Sequence, residues 1–344
     1  MNSPLVLSRS QIVGFRRRVC GLDERLPAGE ESLRRAAWAG LQDSVPRAAL
    51  LSIHARVEGT DSSGWAHPSL VQLWGPRFSD YVVAARDLAV FSLGRLPADA
   101  VRRARAEDTA ERLHAYLNGQ RMPFGQAGRG LGVAPNSLRY AAATGRVLLR
   151  WDGSRQPVVW TGPAPEMEPE AARVELGRRY LQVFGPGTAA SFAKWAGIGG
   201  PAAVAVFRAM AGGLTAVRTA VGEGWILTED EGAFRRKGGP AAVARLLPSG
   251  DAFYLAWGGD REILVADDER RAELWTSRVW PGALLVGGEI AGVWRRAGAE
   301  VSIDAWRRFS AKERAAVEAE AGGLPVPGTE GGLTVRWGGA SGGK

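Results

Sequence analysis

The sequence predicts an α+β protein in which repeated helix-turn-helix units precede a strand-rich C-terminal domain. Amphipathic segments with capping residues and Gly or Pro stops recur along the first two thirds of the chain, and short apolar runs follow several of them. From Leu246 onward, short apolar segments alternate with glycine turns, which is typical of a small β-barrel or sheet. The length of 344 residues allows two to four domains.

In the first unit, residues 1–100, two predicted helices flank a polar triplet, Gln42-Asp43-Ser44. The apolar positions that define these helices are Leu33, Ala36, Ala37 and Leu41, then Ala48, Leu51, Ile53 and Ala55. Pro46 suits the first turn of the second helix. The triplet therefore marks a helix boundary.

The second unit, residues 101–165, has the pattern of a helix-turn-helix followed by a β-hairpin. Its predicted segments are a helix at 109–117, a recognition-type helix beginning within 133–140, and strands at 147–151 and 157–160. The pair Asp152-Gly153 between the strands is a hairpin signal. The hairpin is a candidate wing and carries Arg150 and Arg155.

The third unit, residues 166–238, repeats this order, and the fourth, residues 239–344, consists mainly of short strands. The segments predicted for the third unit are helices at 170–184, 189–196 and 201–210 and strands at 217–219 and 225–227. Those predicted for the fourth unit are strands at 247–255, 262–265, 283–286, 290–295 and 300–303 and a helix at 310–321. The tail after this helix is Gly-rich and is predicted to be loose at its end.

Composition excludes several kinds of site. Cys20 is the only cysteine, which rules out an internal disulfide and thiolate metal sites. The three histidines, His54, His67 and His114, lie far apart in the sequence, so no metal site is predicted. No P-loop and no strand-GxGxxG-helix unit occurs.

The net charge of +8 and the pI of about 10.2 favour an anionic partner such as DNA. Nearly all of the basic residues are arginines, which form bidentate contacts with phosphate and guanine. No apolar run approaches the length of a membrane span, and no signal-peptide pattern follows Met1. These features predict a cytoplasmic protein that does not associate with membranes.

The most informative stretch runs from Gly40 to Arg47 and reads Gly-Leu-Gln-Asp-Ser-Val-Pro-Arg. It resembles the catalytic motif of the AlkZ/YcaQ-like winged-helix DNA glycosylases, Gly-Leu-Gln-x-Gln-Asp-Pro-Arg, in which one branch has Asp in place of the second Gln. The residues that match are Gly40, Leu41, Gln42, Pro46 and Arg47. The chain departs at Ser44, where the family has the second Gln or Asp, and at Val45, where it has Asp.

Further segments are similar to the same family in order along most of the chain. They are Arg173, Arg178-Arg179-Tyr180-Leu181, Phe184-Gly185-Pro186, Thr188, Phe192 and Trp195, then Leu246-Leu247-Pro248, Asp251, Asp260-Arg261, Gly288, Gly292 and Trp294-Arg295. The resemblance implies tandem winged-helix domains that form a concave DNA-binding surface, followed by a C-terminal β-barrel.

The resemblance also implies a monofunctional DNA glycosylase that removes N7-alkylated purines from double-stranded DNA without a metal or other cofactor. An N7-alkylated purine carries a positive charge and leaves as a neutral base, so weak catalysis suffices. A Gln amide can hold a water molecule and direct its carbonyl dipole at the positive charge developing on the sugar. Such an enzyme would serve base excision repair or the resistance of a producer to its own DNA-alkylating compound. Several tandem units in one chain suit a monomer.

Gln42, Asp43 and Ser44 are the candidate catalytic residues, with Gln42 as the principal one. Three outcomes are open for the missing second glutamine. The shorter Ser44 leaves space for a larger adduct, Asp43 turns in and replaces the lost group, or the protein is weakly active or inactive and only binds DNA. A structural alternative is that the triplet only punctuates helices, with Ser44 as the N-cap.

Five arginines are predicted to contact DNA: Arg47, Arg77, Arg139, Arg150 and Arg155. The alternative function is a non-catalytic winged-helix DNA-binding regulator, because helix-turn-helix units with basic charge are common in regulators. A regulator normally dimerises to match paired half-sites, and the sequence shows no heptad segment for dimerisation. A sugar- or peptide-binding protein is a third reading with little support.

Overall fold

The computed structural model describes residues 4–153, 155–236, 241–328 and 332–338 and has a mixed α+β fold, as predicted. The elements of residues 4–100 are β1 (Leu5–Val6), α1 (Arg9–Val19), α2 (Glu30–Ala36), β2 (Leu41–Gln42), α3 (Ala48–His54), β3 (Leu70–Trp74), β4 (Asp80–Ala84) and α4 (Leu88–Ser92). Those of the second unit are α5 (Ala100–Leu117), β5 (Met122–Pro123), α6 (Phe124–Gly130), α7 (Asn136–Ala141), β6 (Val147–Arg150) and β7 (Val158–Thr161).

The third unit contains α8 (Pro169–Phe184), α9 (Ala189–Ala196), α10 (Gly200–Ala209), β8 (Leu214–Thr219), β9 (Gly222–Leu227) and α11 (Glu231–Arg235). The fourth contains β10 (Ala244–Leu247), α12 (Gly259–Leu264), α13 (Asp268–Leu274), β11 (Gly282–Val286), β12 (Glu289–Ala297), β13 (Glu300–Ala305), α14 (Ala311–Gly322) and β14 (Thr334–Trp337). None of the helices formed by the described residues is long and apolar enough to cross a membrane.

The chain around the triplet differs from the prediction, because Leu41 and Gln42 form the short strand β2 and do not end a helix. Helix α2 stops at Ala36, and Gly40 adopts a φ of +73°. A side chain at Gly40 would lie 2.9 Å from the Tyr81 ring, so glycine allows both the turn and the close approach. The strand then pairs antiparallel with β4, with Gln42 opposite Tyr81.

One six-stranded antiparallel sheet, in the order β2-β4-β3-β6-β7-β5, joins the first two predicted units. The junction is the pairing of Gln72 on β3 with Leu149 on β6. The predicted hairpin of the second unit is confirmed as β6–β7, and its loop spans residues 151–157, of which Ser154 lies outside the described residues. The hairpin is therefore held in register with the strand that carries Gln42.

The third unit agrees closely with its prediction, since α8, α9 and α10 each begin and end within one residue of the expected bounds. Thr188 caps α9 by accepting a hydrogen bond from the backbone N–H of Ser191. Strand β8 pairs antiparallel with β9 and parallel with β1, where Leu5 lies opposite Val217. The start of the described chain is thus part of the third unit's sheet.

The expected C-terminal barrel is not found. Strands β10 to β14 form an open sheet in chain order, and the described residues contain no pairing between its outer strands. Helix α14 packs on one face, where Val317 and Ala321 join a cluster with Leu246 and Ile303, so that a helix covers apolar surface that closure would otherwise bury. Within the described part of the tail, β14 pairs parallel with β13, whereas the end that is predicted to be loose, residues 339–344, lies outside the described residues.

The predicted strand at 247–255 is wrong, because only Leu247 belongs to a strand and Ala252–Tyr254 forms a turn of 3-10 helix. The predicted strand at 262–265 is also wrong. Its residues belong mainly to helix α12, in which Ile263 and Leu264 are buried. A short apolar run does not distinguish a buried strand from a buried helix turn. The main core joins the first, third and fourth units, whereas the second unit has a core of its own that includes Leu113, Leu138 and Leu149.

Candidate active site

Gln42 lies at the edge of the six-stranded sheet, where its amide is held by residues from distant parts of the chain. Its Oε1 accepts a hydrogen bond of 2.9 Å from Nη2 of Arg77. The Arg77 guanidinium carbon lies 4.6 Å from the centroid of the Trp257 ring. Gly250, in the loop after β10, approaches the amide so closely that a Cβ there would lie 3.2 Å from Cδ of Gln42. The amide is thus oriented by a stacked arginine and confined by a glycine.

The segment that carries Arg77 is strained. Arg77 and Phe78 have φ values of 56° and 57°, a left-handed conformation that non-glycine residues rarely adopt and that costs about 1–3 kcal/mol per residue. The turn after α9 packs against this segment, since a Cβ at Gly197 would lie 3.1 Å from the Arg77 Cα. The third unit therefore supports a strained turn whose side chain orients Gln42.

Asp43 points away from Gln42 into a buried hydrogen-bond network, as the alternation of side chains along a strand requires. The side chain is 1% exposed. Its Oδ1 accepts from the backbone N–H of Ala49 at 2.9 Å, and its Oδ2 accepts from Nε2 of Gln72 at 2.7 Å. Gln72 Oε1 in turn accepts from the backbone N–H of Trp151, at the start of the hairpin loop. Asp43 therefore links the motif, α3 and the hairpin.

Burial raises the pKa of Asp43 to about 7, although its two hydrogen bonds favour the ionised form. Both carboxylate oxygens are occupied, which leaves Asp43 poorly placed to replace the missing glutamine. The N-cap residue of α3 is Arg47, and the first-turn N–H of Ala49 donates to Asp43 and not to Ser44.

Ser44 is exposed, and α3 begins only at Ala48. Its hydroxyl forms no hydrogen bond with the described residues, so the interpretation of Ser44 as a helix cap is wrong. Ser44 follows Gln42 by two residues and lies in the bend between β2 and α3.

Arg47 and Arg150 are brought together by Trp65, a residue for which the sequence provided no signal. Their guanidinium carbons lie 4.0 Å and 3.7 Å from the centroid of the Trp65 ring. Burial, followed by the charge of Arg47, lowers the pKa of Arg150. Among the described residues, neither arginine has a carboxylate within ion-pair distance. Two stacked cations that form no ion pair with a described carboxylate, and feel only the buried charge of Asp43, make this cluster suitable for a phosphate.

Arg139 and Arg155 occupy different environments. Arg139 lies near the half-buried carboxyl group of Asp80, whose pKa burial raises to about 6, and it makes a long hydrogen bond of 3.4 Å to the Phe78 carbonyl. Arg155 is exposed in the hairpin loop. That loop packs on the motif, since a Cβ at Gly153 would lie 2.6 Å from Cβ of Pro46.

A buried ion pair holds the loop that contacts Gln42. Arg56, just after α3, donates two hydrogen bonds to the carboxylate of Asp251, and the two side chains are 1% and 0% exposed. Asp251 directly follows Gly250, so the pair fixes the loop that confines Gln42. The sequence pointed to Asp251 through its segment match but not to Arg56, Gly250, Gln72 or Trp257.

The arrangement provides an oriented amide, an exposed hydroxyl and several arginines that form no ion pair with the described carboxylates. In the part of the chain that the structure describes, no group of three or more His, Cys, Asp or Glu side chains could hold a metal ion. The site can therefore hold a water molecule, direct a carbonyl dipole and bind phosphates.

Comparison with known proteins agrees with the motif. A family model described as DNA glycosylase AlkZ-like matches residues 36–325. Among solved structures, the fold is similar to Streptomyces sahachiroi DNA glycosylase AlkZ, with a TM-score of 0.75 and 19% sequence identity, over 97% of this chain and 100% of that one. No curated protein matches significantly. The family match covers the motif, Arg77, the hairpin and the Asp251 loop.

Proposed function

The chain belongs to the AlkZ-like family of DNA glycosylases, and we propose that it hydrolyses the N-glycosidic bond of N7-alkylated purines in double-stranded DNA. Membership makes the protein a DNA N-glycosylase that acts on alkylated bases. The observation that carries the finer proposal is the orientation of the Gln42 amide by Arg77. An amide does not titrate near neutral pH, so it suits a substrate that departs without being protonated.

The proposed role of Gln42 is to hold and orient the attacking water. A carbonyl oxygen has two lone pairs, and Arg77 uses one, which leaves the other to accept a hydrogen bond from water. The carbonyl dipole then also faces the positive charge that develops on the sugar. The positive charge of Arg77 would destabilise the positive charge that develops on the sugar unless an anion neutralises it. We therefore assign the remaining N–H donors of Arg77 to a DNA phosphate.

The buried network of Asp43 supports a positioning role, which revises its predicted part in catalysis. Ser44 remains beside the reacting base in this proposal. Its short side chain leaves space that a second glutamine would fill, which favours bulky N7-guanine adducts over methyl groups. A substrate of that size suits resistance of a producer to its own DNA-alkylating compound, although base excision repair uses the same chemistry.

DNA affinity is assigned to the arginines around the motif, Arg47, Arg77, Arg139, Arg150 and Arg155. The stack of two of them on Trp65 and the exposure of Arg155 in the hairpin loop support this role. We also propose that the four predicted units are the domains of the protein, that three of them are winged helices, and that it acts as a monomer. The hairpins β6–β7 and β8–β9, each of which follows a set of helices, support the winged-helix assignment.

The proposal is tested by measuring abasic-site formation on duplex DNA that contains either N7-methylguanine or a bulky N7-guanine adduct. Under single-turnover conditions, Gln42→Ala is expected to slow base release about tenfold to a thousandfold, as for loss of one electrostatic or water-orienting group. Its DNA affinity should change little. Release at the wild-type rate by Gln42→Ala would refute the role of Gln42, and tight binding without release by the wild-type protein would favour a DNA-binding regulator.

A further inference from the structure

A cavity of about 990 Å³ lies next to the motif without including it. Phe78 forms part of its wall, whereas Gln42, Asp43 and Ser44 do not. Most of the remaining wall residues lie on α5 and the segment before it, on α7 and the two residues 133–134 before it, on α8, and in the turn between α9 and α10 with the start of α10. Its size is within the range of cavities that bind small organic ligands. Because Arg77 precedes Phe78 and contacts Gln42, this cavity and the candidate active site share one strained segment.

The cavity is strongly cationic. Its wall contains five arginines and two aspartates: Arg95, Arg102, Arg105, Arg112, Arg173, Asp99 and Asp108. Arg102 and Arg105 are exposed on one face of α5, and among the described residues no carboxylate lies within ion-pair distance of either. Oδ2 of Asp108 lies 3.5 Å from Nη1 of Arg112. Asp108 therefore offsets the charge of that arginine, and among the described residues it forms no ion pair with Arg102 or Arg105. The excess positive charge favours an anionic ligand.

One of these wall arginines, Arg95, is a buried charge. The residue is 3% exposed and donates hydrogen bonds to the carbonyls of Trp74 and Ala196 at 2.7 Å and 3.0 Å. Burial lowers the pKa of Arg95 to about 9, so it remains charged at neutral pH. None of the described carboxylates pairs with it.

The cavity also presents aromatic surface. The rings of Phe78 and Tyr140 meet edge to face with their centroids 4.8 Å apart, and Tyr140 is 57% exposed. Ile198 and Pro201 contribute apolar wall on the side of the third unit. An exposed ring next to uncompensated arginines suits a ligand with an aromatic base and a phosphate, because bases stack on aromatic side chains while arginines bind the backbone.

We propose that this cavity binds one unstacked nucleotide of the substrate DNA, with its base against Tyr140 and its phosphate against Arg102 and Arg105. The inference rests on the proposed function for the identity of the ligand. The bound nucleotide is not the one that reacts, because Gln42 does not line the cavity. The site would therefore hold a neighbouring or opposite nucleotide while the lesion is at the motif.

The test compares affinities for two lesion-free duplexes of equal length, one fully paired and one with a single unpaired nucleotide. The unpaired nucleotide lowers the cost of unstacking, so the wild-type protein should prefer the bulged duplex. Tyr140→Ala should lose about tenfold in affinity for bulged DNA and much less for paired DNA. Arg102→Ala combined with Arg105→Ala should also lose the preference and lower the salt slope by about two units.

Arg103→Ala is the matched control, because Arg103 lies on the same helix, pairs with Glu107 and does not line the cavity. It should keep the wild-type preference for bulged DNA. The proposal is overturned if Tyr140→Ala and the double variant keep that preference, or if Arg103→Ala loses it equally. It is also overturned if a free deoxynucleoside monophosphate binds as tightly as bulged DNA, which would indicate a soluble ligand.

Base release from N7-methylguanine DNA, measured with the same proteins, separates this inference from the proposed function. A wild-type protein that releases the base but shows no cavity-dependent preference would refute only the cavity. Cavity-dependent preference without release would refute only the proposed reaction.

Discussion

Arg77 donates a hydrogen bond across 2.9 Å to the carbonyl oxygen of Gln42, and the two residues are 35 positions apart in the sequence. The amide orientation is thus set by a second residue, which is itself stacked on Trp257. Two glycines, Gly250 and Gly197, allow the close contacts on either side of the pair. The geometry of the site therefore depends on the third and fourth units as well as on the motif.

Arg77→Ala is expected to slow single-turnover base release about tenfold or more, because a displacement of about 1 Å in a catalytic group can cost a hundredfold in rate. If Arg77 acts through Gln42, the effects will not add, and Arg77→Ala will have little further effect in a Gln42→Ala background. Arg314→Ala is a control, since Arg314 stacks on Trp337 at 4.2 Å on the distant helix α14. Additive losses in the double variant would contradict the positioning role.

Gly250→Ala is expected to reduce base release more than its effect on stability explains. The substitution places a Cβ 3.2 Å from Cδ of Gln42, so the amide must shift. Gly119→Ala is a close control because both glycines have a φ of +78°, whereas Gly119 has no atom within 4 Å of the added Cβ. Both variants should lose about 1 kcal/mol of stability, since the left-handed conformation penalises alanine at either site. Equal rates for the two would show that Gly250 does not confine the amide.

Asp43→Asn is expected to destabilise the protein by about 1–3 kcal/mol. Asparagine offers one acceptor to the two donors of Ala49 and Gln72, and Gln72 cannot reverse its amide because its Oε1 accepts from Trp151. Urea unfolding at pH 8 measures the change. Asp268→Asn, at a carboxylate that is 88% exposed, should be neutral within about 0.5 kcal/mol. A fully stable Asp43→Asn protein with no base release would instead indicate a catalytic carboxylate.

The same residue gives the free energy of unfolding a defined pH dependence. The pKa of Asp43 is about 7 in the folded protein and about 3.9 in an unfolded chain. The folded state therefore binds the proton more tightly, and stability falls as pH rises from about 4 to about 7 and then levels off. Asp80 contributes in the same direction, so the difference between wild type and Asp43→Asn isolates the Asp43 part. A constant difference across this range would contradict the raised pKa.

Ser44→Gln is expected to change substrate preference. The wild-type protein should release bulky N7-guanine adducts faster than N7-methylguanine, whereas Ser44→Gln should gain activity on the methylated base and lose activity on the bulky one. Single-turnover rates on both duplexes measure the ratio. Ser44→Ala is the control, because it keeps the space and removes only the hydroxyl. If all three proteins process both lesions at equal rates, position 44 does not set specificity.

The sequence predicted the parts of the fold that depend on neighbouring residues. Helix α9 is an example, because Thr188 caps it locally and Gly197 ends it in the left-handed conformation. The hairpin β6–β7 likewise follows from its own strands and turn. Strand β2 escaped prediction because it has only two residues, and its strand geometry comes from pairing with β4, about 40 residues later.

In the candidate site, too, the sequence predicted what depends on neighbouring residues and missed what depends on distant ones. Gln42 was identified from a local motif, but its orientation requires Arg77, Trp257 and Gly250, which no local pattern connects to it. Ser44 was a reasonable cap by residue type, yet α3 begins four residues later and the N–H of Ala49 donates to the buried carboxylate of Asp43. Hydrogen bonds between distant segments decide such cases, and they depend on the folded arrangement of the whole chain.

The parallel pairing of β1 with β8 bridges residues more than 200 positions apart, with Leu5 opposite Val217. Together with the shared six-stranded sheet, it ties the first unit to both the second and the third. These strand pairings resist separation of the units when duplex DNA binds between them. In an encounter with DNA, we therefore expect the duplex to supply most of the shape change, by bending or local melting, so that lesions which already weaken base stacking gain an advantage in recognition.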